Sequence, residues 1–146
     1  MSIDGEYEPS TSAWVADQIA EYEASGGTRA HTLRETGIPI IVFTTVGRKS
    51  GKLRKVALMR VEHEGQYALV ASKGGADEHP DWFYNLEANP TIMMQDGPEP
   101  FETIAALVEG DEYDLWWERS VAVFPTYADY KEKTGRAIPV LVTGKA

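Results

Sequence analysis

The sequence predicts a mainly β protein with flanking helices, an α+β fold whose six strands form an antiparallel barrel. Six apolar or alternating runs of strand length are separated by short turn signals rich in Gly, Pro, Asn and Asp. Most neighbouring runs are linked as hairpins, and few helical patterns are placed to make the crossovers a parallel sheet needs. At 146 residues the chain can bury one sizeable core without cross-links, and it contains no cysteine to make any.

The elements follow in order. Residues 1–12 read as a flexible acidic tail. Trp14, Val15, Gln18, Ile19 and Tyr22 keep helical spacing until Ser25-Gly26-Gly27 stops them. Strands are expected over 38–46 and about 56–62. A turn at His63-Glu64-Gly65-Gln66 leads into a third strand over 67–71. A Gly-rich loop over 72–79 precedes a short helix over 80–88, with proline in its first turn and Asn89-Pro90 at its end. Strands over 91–95 and 101–108 flank Asp96-Gly97-Pro98. Asp111 is positioned to cap a helix with Tyr113, Trp116, Trp117 and Val121 on one stripe. Pro125 breaks that helix, a further helical piece covers 126–134, and residues 138–142 form the last strand. No repeat or linker divides the chain, so 13–146 is expected to be one domain.

Composition excludes several functions. Without cysteine there is no thiolate metal site and no cysteine nucleophile. No apolar run approaches the ~20 residues of a membrane span, and the acidic, polar first residues do not match a secretory leader. A cytoplasmic protein is therefore expected. A net charge of −9 disfavours nucleic-acid binding, which uses a broad basic face. His31, His63 and His79 show no metal-ligand spacing, and no metal is expected. There is neither a G-x-S-x-G elbow nor a G-x-G-x-x-G dinucleotide fingerprint.

One local feature stands out against this background. Gly47-Arg48-Lys49-Ser50-Gly51-Lys52-Leu53-Arg54-Lys55 carries five cations in nine residues; without them the net −9 of the chain would be −14. Such a cluster is either a solvated hairpin turn or an anion site whose backbone N–H groups share in the binding. It is not a Walker A loop: its glycines bracket three residues, and Leu53 stands where a magnesium-binding hydroxyl is needed.

Three motifs in order extend the pattern: G-R-K-S-G-K-x-R, then S-K-G-G with H-P-x-W-x-x-N-L-x-A-N-P, then Y-x-x-Y before R-x-I-P-V. Together they resemble the deazaflavin-dependent nitroreductase family, reductases that use coenzyme F420, over about Gly37 to Val142. The resemblance implies a split β-barrel of the FMN-binding type. It also implies hydride transfer from reduced deazaflavin to a small electron-poor acceptor: a quinone, a nitroaromatic, or a conjugated lactone or coumarin-like ring. Arg48, Lys49, Ser50, Gly51, Lys52 and Arg54 match the turn that holds the cofactor's phosphate and polyglutamate tail. Ser72, Lys73, Gly74 and Gly75 match the loop beside the ring, and Trp82 and Asn85 the flanking helix. Tyr127 and Tyr130 match the substrate border and, with Ser72, are the expected catalytic residues.

By themselves Ser72 is a turn serine, Trp82 a core residue and the tyrosine pair ordinary packing. Two departures stand out: Ala57 replaces a proline of many relatives, and Phe124 replaces a tyrosine of some. Related proteins use the N-terminal region as a pocket cover or a membrane contact. Here Asp4, Glu6, Glu8, Asp17, Glu21 and Glu23 would repel anionic lipid, which favours a lid or core helix. Two other readings fit the basic turn: an FMN-dependent oxidoreductase of the same barrel, and a non-catalytic binder of polyanionic small molecules.

Overall fold

The computed structural model describes residues 5–10, 12–32, 37–134 and 136–144. Among these residues lie four helices and eight strands, paired as two four-stranded antiparallel sheets. The strands are β1 (Ile40–Val46), β2 (Leu53–Met59), β3 (Glu62–His63), β4 (Gln66–Val70), β5 (Thr91–Gln95), β6 (Pro100–Ile104), β7 (Ala106–Leu107) and β8 (Val140–Gly144). The first sheet has the order β2-β1-β5-β6 and the second β3-β4-β8-β7.

The α+β class is as expected, and the six anticipated runs are distributed over two antiparallel sheets. Two of the six anticipated runs bend and pass from one sheet to the other. The second run leaves the first sheet at Arg60-Val61, where the Arg60 N–H donates to the Pro39 carbonyl and the Val61 carbonyl accepts from Ala68. The run over 101–108 turns at buried Ala105, whose N–H donates to Pro90. Thr103 holds the sheets together beyond these corners: its hydroxyl donates to the Gly144 carbonyl at 2.7 Å and accepts from Thr143.

β1 reads as a continuous apolar run because both of its faces are covered. Ile41 and Phe43 face the main core between the sheets, with Ile92, Met94, Leu69 and Leu141. Helix α2 (Asp81–Ala88) closes that core with Trp82, Phe83 and Leu86. Ile40 and Val42 face the other way, onto Ile19 and Tyr22 of α1 (Ala13–Ala24). α1 is thus a core helix at those positions, although Trp14 is exposed. Its Tyr22 hydroxyl accepts from Gly97 and donates to Gln95, fixing α1 on the β5–β6 turn.

The outer face of the second sheet is covered by α3 (Gly110–Val123) and α4 (Thr126–Lys133) through Trp116 and Tyr127. Asp111 lies inside the first turn of α3 rather than at its cap; there it complements the positive end of the helix dipole.

Residues 5–10 were expected as part of a free tail. They run instead along β2: Leu53 donates to the Glu6 carbonyl at 2.7 Å, and Glu8 donates back to Leu53 at 2.8 Å. Residues 1–4 and 11, which include Asp4, lie outside the described residues.

Candidate active site

The basic turn joins β1 to β2 and is closed by its own backbone. Gly47 donates to the Lys52 carbonyl at 2.8 Å, and Gly51 to the Gly47 carbonyl at 2.9 Å. Gly51 sits at φ +72°, a conformation that favours glycine. The Ser50 hydroxyl accepts from the Lys52 N–H, so it shapes the turn while remaining exposed.

Beside this turn opens a cleft of about 320 Å³, bordered by Arg48, Lys49, Ser50, Arg54, Trp82, Asn85 and Glu8. Turn and helix are bound together at Asn85, which is buried. Its Oδ1 accepts from the Arg48 N–H at 3.1 Å and from the Arg48 guanidinium at 2.9 Å. Its Nδ2 keeps no partner among the described residues, so it remains available to a ligand. Arg48 also donates to the Asp81 carbonyl and lies 5.2 Å from the Tyr84 ring centroid. Trp82 lines the cleft, and its ring meets Phe43 edge-on at 5.4 Å.

The five cations do not act as one patch. β2 alternates, so Arg54 turns with Val56 toward the cleft while the Lys55 side chain faces α1. The Lys55 amino group holds the Glu23 carboxylate at 2.7 Å and lies over the Tyr7 ring at 4.6 Å. Arg54 grips Glu8 at 2.6 Å. Among the described residues, Lys49 and Lys52 have no carboxylate in ion-pair range. Behind the cleft Thr45, which pairs with Arg54 across the strands, is fully buried, and its hydroxyl has no partner there.

A second region lies in the loop that leads into α2. Ser72 is buried, and Lys73–Gly75 form a 3-10 turn with left-handed backbone at Lys73 (φ +47°) and Gly75 (φ +80°). The turn packs on α4. A Cβ at Gly75 would come within 3.1 Å of Tyr130 Cα, so only glycine lets the two backbones approach this closely. The Ser72–Gly75 loop and the tyrosine helix are thus brought together, as are the basic turn and α2.

Tyr127 is 1% exposed, packed edge-on against Phe124 at 5.0 Å and near Trp117 and Tyr130. Where some relatives place a hydroxyl, Phe124 therefore supplies a ring contact. The Tyr127 phenol has no hydrogen-bond partner among the described residues. Burial, with the Tyr130 hydroxyl beside it, pushes its pKa well above the ordinary phenol value, so it is a donor at neutral pH. Tyr130 is partly buried on the same cluster.

Three residues that sequence reasoning did not single out connect the regions. Arg136 bonds to the Ser72 and Ala76 carbonyls and to His79 Nδ1. His79 stacks on Phe83 and Tyr84 of α2, and Tyr84 carries Arg48. Arg136 was visible only as a letter of the longer motifs, and His79 as a motif letter and a histidine without metal-ligand spacing.

The sequence profile described as F420H(2)-dependent quinone reductase matches residues 14–145. The chain is 32% identical over 126 residues to the F420H(2)-dependent quinone reductase Rv1261c of Mycobacterium tuberculosis, covering 84% of each chain. A solved structure described as an F420-H2 dependent reductase (FDR-A) is 50% identical, with TM-score 0.69 over 77% of this chain and 97% of that one. Another, described as a domain-swapped dimer, is 45% identical with TM-score 0.72, covering 87% and 92%. Cleft, loop and matches agree: the chain belongs to the F420H(2)-dependent quinone reductase family, oxidoreductases that use coenzyme F420.

Proposed function

We propose that the basic cleft holds the anionic tail of F420, that the Ser72–Gly75 loop borders the ring, and that the acceptor lies against α4. The observation that carries this is the Glu8 carboxylate inside the cleft at 2.6 Å from Arg54. The site already binds the kind of group the cofactor's glutamates and phosphodiester present. Arg48, Lys49 and Arg54 supply cations from the cleft wall and Lys52 from the same turn, the Ser50 hydroxyl and Asn85 amide supply donors, and Gly51 shapes the turn. Trp82 gives the cleft an apolar wall.

Bound reduced F420 supplies a hydride, and with one further proton a quinone becomes a hydroquinone while the cofactor is left oxidised. Nitroaromatics and conjugated lactones are acceptors of the same electron-poor class. The protein's part is to hold the acceptor and donate to its oxygen as charge builds there. Ser72, Lys73 and Gly74 form the near wall. In this reading the Tyr127 and Tyr130 phenols, on the helix that packs against the Ser72 loop, donate to that oxygen. The paired sheets close as a split barrel of the flavin-binding type, and the enzyme works in the cytoplasm on a small-molecule acceptor without nucleic acid.

The test is direct. Cofactor fluorescence should show F420 binding more tightly than FMN at physiological salt, and reduced F420 should be oxidised when menadione is added. Equal or tighter FMN binding would sink the tail-binding argument.

A further inference from the structure

We propose that Arg136 is a positioning residue that braces the Ser72 loop against α2 and so sets the acceptor wall relative to the basic cleft. The inference rests on the reading of that loop as the ring-side wall.

A guanidinium has five N–H donors in a rigid plane, and Arg136 uses all five. Nε donates to the Ala76 carbonyl at 2.9 Å. One terminal nitrogen donates to Ser72 at 2.8 Å and Ala71 at 3.3 Å. The other donates to Ala137 at 3.2 Å and meets His79 Nδ1 at 2.9 Å. Because arginine stays protonated and only donates, Nδ1 accepts, and the neutral imidazole carries its proton on Nε2. Among the described residues no carboxylate pairs with this charge. The acceptors lie on both sides of the left-handed turn, Ala71 and Ser72 before it and Ala76 and His79 after it. The side chain is a cross-brace on a loop whose Lys73 holds a conformation that non-glycine residues avoid.

The brace continues beyond the loop. The His79 ring lies 4.7 Å from Phe83 and 5.8 Å from Tyr84, and Tyr84 lies under Arg48. A path of direct contacts thus runs from the Ser72 carbonyl to the turn that holds the cofactor tail. Fixing two walls against each other is how a protein keeps a donor and an acceptor at transfer distance. Lysine cannot replace this fork: its three donors sit on one atom and cannot span both limbs of the loop.

The experiment uses the full chain and three variants. Arg136→Lys should slow single-turnover oxidation of reduced F420 by menadione on the order of 10- to 100-fold, the scale of an ångström misplacement. The F420 dissociation constant, read by fluorescence, should stay within about twofold, since the cleft residues are untouched. His79→Phe should slow transfer likewise. His79→Asn, which keeps an acceptor near the Nδ1 position, should recover most of that loss. In the unloaded protein, imidazole nitrogen NMR should show His79 in the Nε2–H tautomer, with the tautomers mixing in Arg136→Lys.

An unchanged transfer rate in Arg136→Lys, a loss of cofactor affinity as large as the loss of rate, or an Nδ1–H tautomer in the unmodified protein would each overturn the brace. If Arg136→Lys does not fold, the His79→Phe and His79→Asn pair decides the same question. Absence of F420 binding to the unmodified protein overturns the cofactor reading instead, and the tautomer still tests the brace.

Discussion

The two regions that meet α2 are held by opposite kinds of force. At the basic turn the protein has arranged charge: Arg54 and Glu8 have side chains 36% and 41% exposed, and Lys49 stands in solvent. At the Ser72 loop it has arranged geometry: a five-donor guanidinium on neutral acceptors, a glycine pressed on Tyr130, and a buried phenol. Exposed charges attract from a distance and are weakened by salt, whereas packed neutral contacts hold position and barely respond to it. The difference implies a division of labour in which the cleft sets cofactor affinity and the loop with α4 sets the rate of hydride transfer.

The sharpest test of that division is Arg54→Ala. It removes a charge-assisted contact worth about 1–3 kcal/mol, and it also leaves the Glu8 carboxylate unbalanced in the cleft. Cofactor affinity should fall by more than in Lys49→Ala, which loses a cation and uncovers no anion. Fold stability should hardly change, because a half-exposed ion pair contributes only about 0–1 kcal/mol. Titration of each variant with F420, beside a thermal melt, checks both statements. If Arg54→Ala binds normally but melts early, the cluster is structural and the comparison breaks.

What the sequence revealed follows the same division. The cations and the three ordered motifs were legible because charge and spacing are properties of side-chain letters. The helices and strand runs were legible from periodicity and turn signals. The corners at Arg60-Val61 and Ala105 were not, because a strand that bends between sheets keeps its apolar pattern. The Glu8 contact spans 46 residues from an acidic segment with no periodic signal, so the tail read as free. Arg136 stayed hidden for another reason: four of its five acceptors are backbone carbonyls, which every residue has.

Tyr127→Phe probes the other region. If the phenol donates to the acceptor oxygen, removing it should lower turnover about tenfold, the worth of one neutral hydrogen bond of about 1–1.5 kcal/mol. Cofactor affinity should not move. The ring and its packing on Phe124 and Trp117 are kept, so the melting temperature should hardly move. Falling turnover with unchanged stability separates a substrate contact from a packing residue. If turnover does not change, Tyr127 is core. Tyr130→Phe, on a more open side chain where water can substitute, should show the same pattern more weakly and vary between quinone and nitro acceptors.

The smallest expected effect is on Glu8. In the unloaded protein its carboxylate occupies Arg54, and a segment bonded to β2 on both sides of Tyr7 holds it there. An anionic cofactor tail must displace this internal anion or share Arg54 with it. Glu8→Gln keeps the shape and removes the charge, so F420 should bind more tightly, by up to about fivefold for a pair worth at most ~1 kcal/mol. Salt should weaken binding more steeply in the variant, since one more cation is free to meet the tail. Combining Glu8→Gln with Arg54→Ala should recover part of the affinity lost in Arg54→Ala alone, because the uncovered carboxylate is gone. Transfer rate at saturating cofactor should be unaffected throughout, because this segment is bonded to β2 and its carboxylate to Arg54. A weaker-binding Glu8→Gln would mean that Glu8 orients Arg54 for the cofactor rather than competing with it, and the cleft would then be preorganised like the loop.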